Sequence, residues 1–119
     1  MYLFSLNGVT RGLITSRPSK TCKTPYVADI VIDGDDTTEE LCHSPSLGCC
    51  GLAETGKTVI LSKLTSGKTK CSHRVELATL IEERNPEREI IIGINPKLGE
   101  TIAELCLQKD CVLGLTNIQ

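Results

Sequence analysis

The chain has 119 residues, which is enough for one domain with a modest core. Hydrophobic residues make up 39% and aromatic residues 3%, with no Trp, so we expect an aliphatic core. The formal net charge of −2 excludes a polybasic protein that binds nucleic acid or membranes with its whole surface, so any basic surface has to be local. No apolar run approaches the roughly 18 residues of a membrane span, and the N-terminus lacks a secretion signal. We therefore expect a cytoplasmic protein.

Cysteines are unusually frequent, at positions Cys22, Cys42, Cys49, Cys50, Cys71, Cys106 and Cys111. An odd number without an export signal predicts reduced thiols and not a disulfide framework. A zinc site is the alternative, drawn from Cys42, His43, Cys49, Cys50, Cys71 and His73. Adjacent cysteines cannot both point inward from a strand, and no C-x-x-C pair occurs. We therefore expect small buried thiols, no metal and no cofactor.

Six runs of β-branched and aliphatic residues predict strands. They cover residues 2–16, 26–32, 37–43, 58–64, 72–81 and 90–94. Gly8 and Gly12 favour a bend or bulge in the long first strand. Residues 33–36 predict a hairpin turn, and residues 82–89 predict a charged turn before the sixth strand.

A short amphipathic helix is predicted after the strands. Asn95 is a typical N-cap, Pro96 suits the first helical position, and apolar residues follow at helical spacing as far as Leu107. We expect residues 1–95 to form one unit. Residues 96–119 form a helix and tail that either end this unit or begin a second domain of a longer protein.

This order of elements predicts a mainly β protein, a small closed barrel of five or six strands of the oligonucleotide-binding (OB) type with a short C-terminal helix. Such barrels bind ligands on the face of strands two and three and through the loops that join strands one to two and four to five. Here these are the first basic loop (residues 17–25) and the second basic loop (residues 65–70). The cations expected along this surface are Arg17, Lys20, Lys23, Lys63, Lys68, Lys70 and Arg74.

The segment from residue 43 to residue 51, here the 43–51 loop, is rich in small residues. Pro45 keeps the preceding residue out of helical geometry, and two glycines would allow peptide N–H groups to face an anion. A plain tight turn is the alternative. His43 could contact phosphate or hydrogen-bond the turn. The candidate contacts in this loop are His43, Ser44, Ser46 and Gly48.

Two further observations define the kind of binding expected. Asp29 lies between apolar residues and either faces solvent or braces a loop through peptide N–H groups; a carboxylate on the binding face would repel phosphate, which favours bracing. Aromatic platforms for stacked bases are scarce, with only Tyr2, Phe4 and Tyr26 available. We therefore predict binding to DNA, or alternatively to RNA, that is made mainly through the phosphates and has weak sequence selectivity.

Five short motifs occur in order at residues 11–17, 27–32, 43–48, 56–62 and 94–98. Their order and spacing resemble the N-terminal half of the sugar fermentation stimulation protein A family, over residues 9–107. The matching positions are Ala28, Asp29, His43, Pro45, Gly48 and Asn95. In that family an OB-type barrel precedes a larger domain similar to restriction endonucleases. Members are described as DNA-binding, with a suggested regulatory role in sugar metabolism.

Two departures from the family pattern limit what the resemblance implies. Ser46 stands where the family usually has Asn, which leaves the ligand preference of the loop open. The acidic residues and lysine of a nuclease-type site would belong to the second domain and have no counterpart here. We therefore expect no catalytic residues and no enzymatic activity.

The sequence as a whole predicts a non-enzymatic module that binds DNA through the two basic loops and the 43–51 loop. One alternative is a structural or substrate-positioning domain of a two-domain nuclease-like protein. Another is a thiol- or metal-responsive binding protein that uses Cys42, Cys49, Cys50 and Cys71. The sequence leaves the oligomeric state open.

Overall fold

The computed structural model describes residues 3–6, 8–33, 38–65 and 69–114. The strands are β1 (Val9–Ser16), β2 (Val27–Ile32), β3 (Glu39–His43), β4 (Thr58–Lys63), β5 (His73–Glu82) and β6 (Asn85–Gly93). A 3₁₀ turn covers Cys49–Gly51, and the helix α1 covers Pro96–Gln108. The predicted hairpin between the second and third strands lies mostly outside the described residues.

A ring of hydrogen-bonded strands closes the barrel. The sheet order is β3-β2-β1-β4-β5-β6 with antiparallel neighbours, and β3 also pairs in parallel with β5. In this closing pair Cys42 lies opposite His73, and His43 lies opposite Arg74. The ring β1-β2-β3-β5-β4 is an OB-type barrel, so the predicted fold is confirmed. Strand β6 lies outside the ring and extends the sheet along the far half of β5.

The core of the barrel is aliphatic, as expected from the composition. The largest of its fully buried hydrophobic side chains come from β1, β2, β4 and β5: Ile14, Ile30, Val59, Leu61 and Val75. Cys42, Ala28 and Ala78 fill the smaller spaces between them. Ala28 and Ile30 in β2, and Val59 and Leu61 in β4, are two residues apart, as the two-residue period of a strand requires. Val75 and Ala78 are three residues apart because the register of β5 with β4 shifts at Glu76. The intervening side chains therefore point to the outside of the barrel.

Strand β1 is shorter than predicted and bends at a different residue. It begins at Val9, and its register with β2 shifts between Ile14 and Ser16, so the bulge lies at Thr15 and not at either glycine. The hydroxyl of Thr15 donates to the carbonyl of Asp29 at 3.1 Å. A hydrogen bond that a polar bulged residue makes to the next strand stabilises the bend without the φ freedom of glycine.

Strand β6 begins earlier than predicted. Residues 85–89 were expected to belong to a charged turn, but β6 starts at Asn85, and only residues 83 and 84 separate it from β5. Both strands extend into solvent here, so their charges need no desolvation, and Arg11 pairs with Glu89 at 2.6 Å. Proline is tolerated at position 86 because β6 is an edge strand of the described sheet.

Helix α1 agrees with the sequence expectation at its start. The side chain of Asn95 accepts a hydrogen bond from the N–H of Lys97 at 3.1 Å, and Pro96 occupies the first turn. The helix ends at Gln108, one residue later than predicted. Within the described part of the chain, no helix combines the length and the apolar character needed to cross a membrane.

Gly12 allows β1 to approach the neighbouring core side chains closely. A Cβ at this position would lie 2.5 Å from Cγ2 of Ile30 and 2.8 Å from Cδ1 of Leu61. We expect Gly12→Ala to lower the free energy of unfolding by about 1–3 kcal/mol through overpacking. Urea denaturation measures this change. The control is Gly93→Ala, where no atom lies within 4 Å of the added Cβ; equal losses in both variants would show that close packing at Gly12 is unimportant.

Candidate nucleic-acid interface

The first basic loop folds back over the outer face of β2. Ala28 and Ile30 point into the core, so Asp29 points outward. Its carboxylate accepts from the hydroxyl of Ser19 at 2.6 Å and from the N–H of Lys20 at 3.1 Å. Asp29 is only 6% exposed as a result. The interpretation of Asp29 as a brace is confirmed, and the loop that it holds is the first basic loop.

The second basic loop is anchored beside the same part of the sheet. Ser72 lies two residues after this loop and donates its N–H to the carbonyl of Leu41 at 2.9 Å. The carbonyl of Ser72 accepts from the N–H of Leu64 at 2.9 Å. Leu41 is the register partner of Asp29 in the β2–β3 pair. Both basic loops are therefore tied to neighbouring residues of one strand pair. Lys68 lies outside the described residues, so its placement stays a prediction.

Several of the predicted lysines keep their charge available. Lys23, Lys63 and Lys70 are exposed, and no described residue pairs with their ammonium groups. Lys20 is also exposed, with Nζ 3.8 Å from a carboxylate oxygen of Glu39. An exposed ion pair of this length contributes little free energy. All four ammonium groups could therefore contact a phosphate without first breaking a strong interaction.

Arg17 has a different role in the structure from the lysines. Its guanidinium donates to three backbone carbonyls, to Pro25 at 2.9 Å, Ala53 at 2.8 Å and Ser46 at 2.7 Å. These carbonyls belong to the first basic loop, to the turn before β4 and to the 43–51 loop. Three of the five N–H donors of the guanidinium thus hold loops together. Contact of Arg17 with phosphate stays a prediction. Only the two remaining N–H donors of the guanidinium could make that contact.

Arg74 is engaged with a buried carboxylate. Its Nε lies 3.0 Å from Glu76, which also accepts from Ser62 at 2.8 Å and from Asn95 at 2.7 Å. Burial by itself raises the pKa of Glu76, but the hydrogen bonds from Asn95, Ser62 and Arg74 and the charge of Arg74 together lower it below its ordinary value. The Arg74 side chain is still 42% exposed and lies beside His43 across the closing pair.

The 43–51 loop contains a run of left-handed backbone. Gly48, Cys49, Cys50 and Gly51 have φ values of 79°, 46°, 54° and 76°. The two cysteines each cost about 1 kcal/mol or more in this conformation. Within the loop the N–H of Cys49 donates to the carbonyl of Leu47, and the N–H of Gly51 donates to the carbonyl of Gly48. These two donors serve a tight turn and do not face a ligand, which is the alternative that the sequence left open.

The start of the 43–51 loop leaves polar side chains without described partners. His43 is half-buried at the end of β3, and no described residue hydrogen-bonds its imidazole. Ser44 donates its N–H to Tyr26 at 2.8 Å, but its hydroxyl is buried and has no partner among the described residues. Ser46 contributes its carbonyl to Arg17. Phosphate contact by His43, Ser44, Ser46 and Gly48 stays a prediction.

A Ser–His–Glu cluster at the barrel closure was not anticipated from the sequence. The hydroxyl of Ser72 donates to Oε2 of Glu40 at 2.6 Å and lies 2.7 Å from Nδ1 of His73, which is itself 3.2 Å from Glu40. In a catalytic triad the serine and the acid contact opposite imidazole nitrogens, whereas here both contact Nδ1. The cluster instead joins β3 to β5. Ser72 and His73 are adjacent, but only the β3–β5 pairing brings Glu40 to them.

The cysteines do not share one environment. Cys42 is buried in the core, where burial raises the pKa of its thiol to about 12. Cys50 and Cys111 are exposed, so the expectation of buried thiols is wrong for them. The remaining thiols, those of Cys22, Cys49, Cys71 and Cys106, are partly buried. Among the described residues, no group of three or more His, Cys, Asp or Glu side chains is arranged to hold a metal ion.

An apolar groove of about 630 Å³ lies between the 43–51 loop, β6 and α1. Its walls include Leu52, Leu77, Ile92, Leu98 and Ile102. Apolar side chains are also exposed on the β5–β6 hairpin, where Ile81 is 60% exposed. Sequence reasoning missed this groove because its walls come from four separate segments, each of which has an ordinary apolar pattern.

Removal of the Arg17 guanidinium should loosen three loops together. We expect Arg17→Ala to lower the free energy of unfolding by about 2–3 kcal/mol, because hydrogen bonds from a charged donor are stronger than neutral ones. Urea denaturation, together with hydrogen exchange of the 43–51 loop, measures this effect. Arg84→Ala, in the exposed turn after β5, is the control and should change stability by less than about 0.5 kcal/mol. Unchanged loop exchange in Arg17→Ala would contradict the bracing role.

The lowered pKa of Glu76 predicts acid sensitivity. A group with a depressed folded-state pKa contributes stability above its ordinary pKa of 4.5 and loses it as pH falls through the lower folded value. Wild-type protein should therefore lose stability below about pH 4.5, while Glu76→Gln should be less stable at pH 7 and depend less on pH in the acid range. Urea titrations between pH 3 and pH 7 test this, with Glu54→Gln, at an exposed position, as the control. Parallel pH profiles in wild type and Glu76→Gln would refute the expectation.

Comparisons with known proteins bear on the fold. No family model matches the chain, and no curated protein matches it in sequence. Among solved structures, the chain is similar to SfsA from Pyrococcus furiosus in complex with Ca²⁺, with a TM-score of 0.71 and 14% sequence identity. The similarity covers 100% of this chain and 46% of that chain. The chain thus has the fold of a part of SfsA and spans about half its length.

Proposed function

We propose that this chain is a nucleic-acid-binding module that contacts DNA through its phosphates. The observation that carries the proposal is the anchoring of both basic loops beside one strand pair, at Asp29 and Leu41, with Lys20, Lys23, Lys63 and Lys70 exposed around it. Cations held on one surface lower the free energy of a bound polyanion through counterion release. This local surface can act in a chain whose formal net charge is −2.

The acidic side chains near the lysines weaken phosphate binding less than their number suggests. Asp29 is buried and uses both carboxylate oxygens as hydrogen-bond acceptors from the first basic loop. Glu40 is bonded to Ser72, and Glu76 is bonded to Arg74. Of the four acids, only Glu39 faces a binding lysine directly, at 3.8 Å. A phosphate could replace Glu39 as the partner of Lys20 at little cost, because exposed pairs of this kind are weak.

Sequence selectivity should be low. Tyr26 is 43% exposed at the start of β2, beside Ser44, and is the aromatic side chain closest along the chain to the first basic loop. One stacking platform can hold a base but cannot distinguish a sequence, since every base has a π-face. The proposed ligand is DNA. RNA is the alternative ligand, because its phosphates would contact the same lysines.

We infer that the chain acts by binding and not by catalysis. The Ser72, His73 and Glu40 cluster lacks the arrangement of a hydrolase triad, since both hydrogen bonds involve the same imidazole nitrogen. The resemblance to the sugar fermentation stimulation protein A family, whose members are described as DNA-binding, and the SfsA-like fold are compatible with this reading.

A second candidate function is a structural or substrate-positioning domain of a larger nuclease-like protein. The groove of about 630 Å³ and the exposed Ile81 and Ile91, which share one face of the β5–β6 hairpin, favour it, because exposed apolar surface marks contact with another unit. The chain also spans 46% of the SfsA chain. In this case DNA affinity would require the remaining part of such a protein.

Removal of the loop lysines tests the first proposal. We expect Lys20→Ala, Lys23→Ala and Lys70→Ala combined to weaken binding of labelled single-stranded and duplex DNA, because three phosphate contacts are lost. The slope of log affinity against log salt should fall by about 0.7 per lost contact on single strands and about 0.9 on duplex. Fluorescence anisotropy at several salt concentrations measures both quantities, and a labelled RNA strand tests the alternative ligand.

The control carries the same change in net charge elsewhere. Arg84→Ala, Lys97→Ala and Lys109→Ala combined remove three cations from the β5–β6 turn, from α1 and from the residue that caps the end of α1, and should leave affinity nearly unchanged. Equal weakening by the two triple variants would mean that net charge, and not the loop surface, determines binding. Absence of binding by the wild-type chain at low salt would favour the positioning domain.

A further inference from the structure

Two partly buried thiols lie where the two basic loops approach each other. Cys22 belongs to the first basic loop, and its N–H donates to the hydroxyl of Ser19 at 3.3 Å. Cys71 directly follows the second basic loop, and its N–H donates to the hydroxyl of Thr69 at 3.1 Å. Each cysteine is therefore held in a defined turn of its loop.

Hydrogen bonds connect each of these turns to one residue of the same register pair in the sheet. On one side, Ser19 donates to Asp29 at 2.6 Å. On the other side, Ser72, which follows Cys71, donates its N–H to Leu41 at 2.9 Å. Asp29 and Leu41 are register partners, and strands in a sheet lie only about 5 Å apart. The fold thus brings together two loops that are separated by most of the barrel sequence.

The surroundings of Cys71 agree with this geometry. Burial is the main cause that raises the pKa of its thiol, hydrogen bonding to Thr69 opposes the rise, and the nearby thiol of Cys22 adds to it. Cys42 is the other cysteine close to Cys71, but it is fully buried in the barrel core and belongs to a rigid strand. Cys22 lies outside the core and is only partly buried, so it is the better partner for Cys71.

We propose that Cys22 and Cys71 form a reversible disulfide that links the first and second basic loops. With hydrogen peroxide as the oxidant, the sulfur of Cys22 attacks one peroxide oxygen, the O–O bond breaks, and a sulfenic acid and water result. The thiol of Cys71 then attacks the sulfenic sulfur, an S–S bond forms, and a second water leaves. Two thiols lose two electrons and two protons in total, and the peroxide gains them.

The consequence for DNA, which rests on the proposed function, is a fixed distance between the two groups of lysines. Lys20 and Lys23 flank Cys22, and Lys70 precedes Cys71. The disulfide holds Lys20 and Lys23 at a fixed distance from Lys70, so these ammonium groups cannot shift to follow the phosphates of a flexible strand. The oxidised form should therefore bind single-stranded DNA about tenfold more weakly, which equals about 1.4 kcal/mol.

Peptide mapping of the whole chain tests the disulfide without reference to DNA. Protein treated with hydrogen peroxide, alkylated and digested should yield a linked Cys22–Cys71 peptide that dithiothreitol separates. Oxidation should also raise the melting temperature, because the cross-link restricts the unfolded chain. Cys22→Ser and Cys71→Ser should each abolish both effects, while Cys50→Ser and Cys111→Ser, at exposed positions elsewhere, should keep them.

The outcomes separate this proposal from the proposed function. A Cys42–Cys71 peptide, or free Cys22 and Cys71 after oxidation, would overturn the disulfide whether or not the reduced chain binds DNA. A mapped disulfide with equal DNA affinity before and after oxidation would overturn its regulatory role. Failure of the reduced chain to bind DNA would count against the proposed function alone, since the mapping result would still decide the cross-link.

Discussion

The parallel pairing of β3 with β5 is the interaction on which the rest of the structure depends. Without it the strands would form an open sheet, and the second basic loop would lie far from the first. The pairing is short, with Cys42 opposite His73 and His43 opposite Arg74, and it is reinforced by the bonds of Ser72 and His73 to Glu40. Polar side chains can serve this purpose because they satisfy one another's hydrogen bonds while Glu40 keeps 36% of its side chain exposed.

The loops around the closure are held by two kinds of polar brace. Asp29 accepts from the first basic loop, and Arg17 donates to carbonyls of three segments. Each brace uses a charge that would otherwise face a ligand, one negative and one positive. Lys23, Lys63 and Lys70 remain exposed because their long, flexible side chains have no acceptor among the described residues. This division leaves Lys20, Lys23, Lys63 and Lys70 exposed while the nearby Asp29 is buried by its hydrogen bonds, and the proposed contact with phosphates rests on that arrangement.

The apolar groove between the 43–51 loop and α1 differs in chemistry from the basic loops. Its walls are aliphatic, and the adjoining turn keeps Cys49 and Cys50 in left-handed conformations that are strained for non-glycine residues. The basic loops and this groove use different residues, so DNA contact and contact with another protein unit do not exclude each other. A barrel that holds DNA with its loops and a partner with its groove would combine the two candidate functions.

The sequence by itself determined much of the local structure: the positions of β2, β3, β4 and β5, the aliphatic core and the start of α1 at its Asn95 cap. These features follow from side-chain periodicity and capping, which act over a few residues. Only the tertiary structure decided that Arg17 braces loops while Lys23 stays exposed, that the bulge lies at Thr15, that β6 begins at Asn85, and that Glu40 meets Ser72. Each of these depends on which strand lies beside which. The partner of a charged side chain is often a residue distant in the chain. The local sequence around that side chain does not determine which distant residue lies beside it.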